Sequence, residues 1–112
     1  MTATEPNEDV KRTAHRALVE RLLHGPGTTS AEQRAAAFHN AAGAPASALV
    51  DRVATAPTRI TDADFSAAVA AGLSDDQIFE LVVCAAVGQA GRQYEAGLAA
   101  LAEAAGGERG DR

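Results

Sequence analysis

Apolar residues recur along this chain at helical spacing, and the strongest such pattern lies near its C-terminal end. Ile78, Leu81, Val82 and Ala85 follow the i, i+3, i+4, i+7 rule of a buried stripe. Val83, Val87, Tyr94, Leu98 and Leu101 form a second stripe on another side of the same helix. Between them runs a lane of Glu80, Cys84, Gly88, Gly91 and Glu95, and a further lane carries Gln89, Arg92 and Gln93. The predicted helix spans Asp75 to about Ala105. Ser74 is its N-cap, Gln77 closes a capping box, and Leu73 and Ile78 are placed as a hydrophobic staple. Asp75 and Asp76 complement the helix dipole, and Gly72 is suited to a left-handed residue that ends the preceding helix.

Four shorter helices are predicted before it. The first runs from an Asn7 cap to His24, with Val10, Ala14, Leu18 and Leu22 on one face, and stops at Gly25-Pro26-Gly27. The second follows Ser30, with Gln33 at the capping-box position, and reaches Ala42 ahead of Gly43; its apolar face is Ala31, Ala35, Phe38 and Ala42. The third starts at Pro45, carries Leu49, Val50 and Val53, and ends before Pro57. The fourth is capped by Thr61, with Asp62 and Asp64 in its first turn, and its Phe65 and Val69 are expected to face the start of the last helix. No alternating β-branched run and no Asn-Gly hairpin signal occurs. The expected fold is all-α, a bundle of about five helices with a long C-terminal one. Residues 7–105 form the expected single domain, 1–6 a disordered N-terminus and 106–112 a flexible polar tail.

Composition narrows the function. Of 112 residues 28 are Ala, and only 22 are Val, Leu, Ile, Phe or Tyr, so bulky core material is scarce for five helices. A last helix that is apolar on two sides must be covered twice, which predicts a homo-oligomer, with Ala85, Gly88 and Gly91 admitting a symmetry-related helix. The net charge of −5 and pI near 5.0 argue against nucleic-acid and anionic-membrane partners, since both select clustered positive charge. The longest apolar run, Leu81 to Gly88, is far short of the roughly 20 residues of a membrane span, and Met1 to Pro6 does not resemble a signal peptide. A cytoplasmic protein is expected.

Candidate chemistry is sparse. Cys84 is the only cysteine, which excludes an internal disulfide and a Cys-x-x-Cys site. Its mid-helix position with Glu80 one turn back opposes a reactive thiolate. His15, His24 and His39 lack the spacing of metal ligands, so neither a metal nor a cofactor is expected. His24 suits a helix C-terminus, and His39 beside Phe38 is the one histidine retained as a pocket candidate. Glu80 and Arg92 complete the candidates: in the structural reading Glu80 makes an intersubunit or intrachain ion pair, and in the catalytic one it faces a cleft near Arg92.

Certain segments resemble a known superfamily. They are Ile60-Thr61-Asp62-Ala63-Asp64-Phe65, then Ala70-Ala71-Gly72-Leu73-Ser74-Asp75-Asp76-Gln77-Ile78-Phe79-Glu80-Leu81-Val82, then Ala85-Ala86 with Arg92. Together they look like the C-terminal half of the carboxymuconolactone decarboxylase and alkyl hydroperoxidase D superfamily. The stretch from Gly25 to Ala42 and Leu49 to Val53 also fits short members. The resemblance implies an all-helical fold assembled as trimers or hexamers and, in the peroxidase branch, a Cys-x-x-Cys motif with a histidine relay. This chain departs from the family at that motif, and it has Gly91-Arg92 where many relatives have Asn-Arg. The expectation is therefore a non-catalytic oligomeric or accessory protein. The alternative is a small enzyme, decarboxylase or peroxidase-related, with a small-molecule pocket at a subunit interface.

Overall fold

A computed structural model describes residues 6–110 apart from 42 and 45, and side-chain surroundings within 9–106. Five α-helices follow in order: α1 Pro6–His24, α2 Ala31–Phe38, α3 Ser47–Thr55, α4 Asp62–Ala70 and α5 Asp75–Gly110, with a 3-10 turn at Pro57–Arg59 before α4. No strand occurs among the described residues, so the fold is all-α with a long C-terminal helix.

Local chemistry sets the helix starts. Ser30 Oγ accepts from Gln33 N at 3.1 Å while Gln33 Oε1 accepts from Ser30 N at 3.0 Å. The same reciprocal box opens α5, with Gln77 N donating to Ser74 Oγ at 3.2 Å and Ser74 N donating to Gln77 Oε1 at 2.9 Å. Thr61 is the N-cap residue of α4, and Asp64 reaches back to accept from its N–H at 2.9 Å. Gly72 takes φ +97, so the chain leaves α4 through a left-handed residue as expected.

Several boundaries differ from expectation. α1 already includes Pro6, which places Asn7 inside the helix rather than at its cap. α2 stops at Phe38 with His39 as C-cap, four residues before Ala42. α3 begins at Ser47 behind Ala46, a non-glycine residue at φ 51. The expected end at Ala42 and start at Pro45 themselves lie outside the described residues, as do residues 1–5 of the expected N-terminal tail. α5 continues past Ala105 to Gly110.

The core lies along the first half of α5. One cluster joins Ala37 of α2, Val50 of α3 and Leu81, Cys84 and Ala85 of α5, with Leu22, Phe38, Val53 and Leu73 against it. A second joins Leu49, Ala68 and Ile78, and Val53 and Leu73 pack on both. α4 turns Asp64 and Ala68 inward and leaves Phe65 and Val69 exposed, the reverse of the expected face. Asp64 explains the rotation: its carboxylate is held by Thr61 and by Arg52 Nη1 at 3.0 Å, and Arg52 also donates to the Arg59 carbonyl at 3.0 Å. That anchoring sets the helix phase, and Ala68, one turn on, follows Asp64 inward.

The lane of small residues on α5 is covered from within the chain. A Cβ on Gly88 would stand 1.9 Å from the Phe38 carbonyl oxygen, so the glycine exists to seat the end of α2 on α5. The close approach expected of a symmetry-related helix at Gly88 is thus made by α2 instead. Gly91 faces α1, where a Cβ would meet His15 Nε2 at 3.7 Å.

Candidate functional site

The densest polar cluster ties the loop after α1 to α2 and α5. Glu80, one and a half turns into α5, projects at residues 28 and 29. Its Oε2 accepts from Thr28 N and Thr28 Oγ1, each at 2.7 Å, and its Oε1 from Thr29 N at 2.9 Å and Thr29 Oγ1 at 2.6 Å. Four donors converge on one carboxylate, nearly its full accepting capacity. Burial pushes the Glu80 pKa up, but these four hydrogen bonds outweigh it and bring the pKa down from 4.5 to about 2.

Arg34 of α2 is the buried counterpart. Its Nη2 donates to the Gly25 carbonyl at 2.8 Å and grazes that of Leu23 at 3.4 Å, its Nη1 donates to the Thr29 carbonyl, and Nη1 stands 3.9 Å from Glu80 Oε1. The loop therefore gives its N–H and hydroxyl donors to Glu80 and its carbonyls to Arg34. Among the buried side-chain nitrogen and oxygen atoms of the described residues, Arg34 Nε alone lacks a hydrogen-bond partner. Gly27 makes room for this crossing, since a Cβ there would lie 2.7 Å from Arg34 Nη1 and 2.9 Å from Glu80 Oε1.

Cys84 lies one turn beyond Glu80 and is fully buried. Burial raises its thiol pKa, the Arg34 charge opposes the rise, and the Glu80 charge adds to it. Beside it is a recess of about 130 Å³ lined by Arg21, Phe79, Val83 and the Glu80, Arg34 and Cys84 group. A larger open groove of about 460 Å³ runs over Asn40, Ser47, Val50 and Asp51 and contains none of the candidate residues.

Arg92 is elsewhere. Twelve residues separate it from Glu80, roughly 18 Å along the helix axis. Its Nη1 donates to the Phe38 carbonyl at 2.7 Å, and Gln89 Oε1 holds it with contacts of 2.9 and 3.2 Å. A cation at the last carbonyl of α2 is well placed for the negative end of that helix. Glu80 and Arg92 are consequently not two walls of one cleft, and the intrachain ion partner of Glu80 is Arg34. His39 is exposed and stands edge-on to the Phe38 ring at 5.0 Å and 78°. His24 meets Glu20 at 3.8 Å on the surface. Among the described residues no three His, Cys, Asp or Glu side chains are grouped as metal ligands, and no helix is long and apolar enough to cross a membrane.

Reading the sequence did not single out Thr28, Thr29 or Arg34. Their partner Glu80 is about fifty positions away, and no local spacing links them. The one available sign was Thr28-Thr29-Ser30 directly after Gly25-Pro26-Gly27, a run of hydroxyls and free N–H groups in a tight loop. Comparison with protein-family models, with curated proteins and with solved structures finds no match.

Proposed function

We propose that the chain is a non-catalytic helical assembly or accessory protein, built on a scaffold of the carboxymuconolactone decarboxylase and alkyl hydroperoxidase D type without that superfamily's redox chemistry. One observation carries this reading: the polar residues that a catalytic site would use are already engaged in holding the fold. Glu80 receives four hydrogen bonds from Thr28 and Thr29, which leaves it little capacity to act as a base. Arg92 is engaged by the end of α2. Cys84 is sealed in the core with a raised pKa, the opposite of what a nucleophilic thiol needs.

The helix landmarks of the resemblance lend support to the scaffold. Thr61, Gly72 and Ser74 all fall at helix boundaries, where that resemblance would put them.

The test is reduction of an organic hydroperoxide in the presence of a dithiol reductant, comparing the wild-type chain with Cys84→Ser. A lone thiol cannot form the intramolecular disulfide that regenerates such an enzyme. Both proteins are expected to match the protein-free rate. Turnover by the wild type that vanishes in Cys84→Ser overturns the reading.

A further inference from the structure

The recess beside Cys84 is lined from α1, α2 and α5 and holds cationic groups that the fold does not fully use. We propose that it binds a small organic monoanion, with the charged head taken up by Arg21 and Arg34 and the apolar body lying against Phe79 and Val83. This goes beyond the accessory reading above and does not rest on it.

Charge sets the sign of the ligand. Arg34 and Glu80 both line the recess, but they stand 3.9 Å apart and offset each other. Arg21, in the last turn of α1, is exposed and makes no hydrogen bond or ion pair with any described residue. One uncompensated positive charge is therefore left at the recess, and it calls for one negative charge on the ligand. The net charge of −5 on the whole chain disfavours anions of higher charge. A guanidinium presents a planar fork of donors, which suits a head with two or three anionic oxygens.

A second observation lies in the wall itself. Arg34 is buried, and its Nε has no hydrogen-bond partner. Buried donors in native proteins are nearly always answered by an acceptor. The other two nitrogens of the guanidinium are held by the Thr29 and Gly25 carbonyls, so the side chain is not free to swing toward one elsewhere. An anionic head anchored by Arg21 brings acceptor oxygens into the recess that Arg34 lines.

Size and lining set the rest of the ligand. A volume of about 130 Å³ equals that of about four waters at roughly 30 Å³ each, so the enclosed part is a handful of heavy atoms. Phe79 is 69% exposed, and Leu22 and Val83 are half-buried. A bare inorganic ion leaves these apolar faces in water, whereas a short hydrocarbon body covers them.

Amide and arginine side-chain NMR of the full chain, titrated with butyrate, tests the site. Saturable shifts are expected in residues 21–27 and 79–84 and at the Arg34 Nε–H, with α4 unmoved. Butyramide keeps the shape without the charge and should give no saturable shift. Arg21→Gln should weaken butyrate binding about tenfold, through loss of a hydrogen bond to a charged group. Phe79→Ala should weaken it about threefold, through loss of apolar cover. Arg59→Gln removes the same charge from an exposed position outside the recess and should change nothing. Propanesulfonate identifies the head: binding of both anions supports an anionic head in general, and binding of one alone supports that head. No saturable shift with either anion, or equal binding of butyramide, overturns the proposal. Equal weakening by Arg59→Gln also overturns it, because overall charge and not Arg21 would then attract the anion. None of these results moves the hydroperoxide assay, so failure of the site and failure of the non-catalytic reading are told apart.

Discussion

The two halves of α5 behave as different helices. From Asp75 to about Gly91 the helix is clasped by α2, α3 and the loop after α1, and it supplies Ile78, Leu81, Cys84 and Ala85 to the core. From Arg92 to Gly106 its side chains are almost all exposed, with Leu98 and Ala105 half-buried. Thirty-six residues make a helix of about 54 Å, and the molecule measures 59 × 29 × 20 Å with a radius of gyration of 17.5 Å. A compact chain of this length would have a radius of about 13 Å. The difference shows that sequence pattern alone does not bury a helix. Both halves carry apolar residues at helical spacing, but only the first has elements of its own chain within reach on most sides. One half is a core element, and the other is available surface.

The clasped half of α5 depends most directly on Gly88. An Ala there would favour the helix by about 1 kcal/mol, but its Cβ would collide with the Phe38 carbonyl at 1.9 Å. Phe38 would have to retreat, disturbing the Arg92 hydrogen bond and the seat of Ala37 in the core cluster. Gly88→Ala is therefore expected to destabilise by about 3 kcal/mol, read as a lowered urea midpoint. An unchanged midpoint would show that α2 does not rest on this glycine.

Glu80→Gln probes the clasp from the polar side and should cost about 2–3 kcal/mol at neutral pH. An amide presents an NH₂ group where the carboxylate accepts from Thr28 or Thr29, and it leaves Arg34 buried without its counter-charge. The pH dependence follows from the lowered pKa. A carboxyl at about 2 when folded and near 4.5 when unfolded contributes stability that is fully present above 4.5 and is lost as pH falls toward 2. Wild type should lose up to about 3 kcal/mol across that window from this group. Glu80→Gln should lose this contribution and keep that of Asp64, whose pKa is also lowered, by the Thr61 backbone N–H against burial and with the help of Arg52. Parallel acid-unfolding curves for the two proteins would exclude Glu80 as the group responsible.

What could be read from the sequence was local. Ser30 with Gln33, Ser74 with Gln77, Thr61 and Gly72 act within one helical turn, so residue type and spacing disclosed them. The buried stripe Ile78, Leu81 and Ala85 was legible for the same reason. The rest depends on contacts distant in sequence. Periodicity pointed Phe65 and Val69 inward, but the Arg52 to Asp64 pair rotates α4 the other way. Gly88 announced a close approach without saying by what, and the visitor is α2 rather than another subunit. Cys84 was judged from Glu80 alone, whereas its surroundings also include Arg34. At the far end, the Ala-rich run to Gly106-Gly107 offered a stop signal that the helix passes through.

The smallest expected effect comes from the other half of the helix and has the opposite sign. Gly97 has nothing within 4 Å of where its Cβ would be, so the added methyl group meets open space in the single chain. Replacing Gly by Ala in an exposed helix interior removes backbone freedom from the unfolded chain and favours the helix by about 1 kcal/mol. Gly97→Ala is therefore expected to stabilise by about 0.5–1 kcal/mol where Gly88→Ala destabilises. The denaturation midpoint should be measured in dilute protein, so that contacts between copies do not contribute. A gain requires that residues around Gly97 unfold together with the core. If helicity near 97 is already lost before the main transition, the midpoint will not move, and the projecting half of α5 must then be treated as a separate folding unit. If Gly97→Ala is instead destabilising in dilute protein, the open space around Gly97 is filled by the chain's own atoms in solution, and the projecting half of α5 is packed like the first.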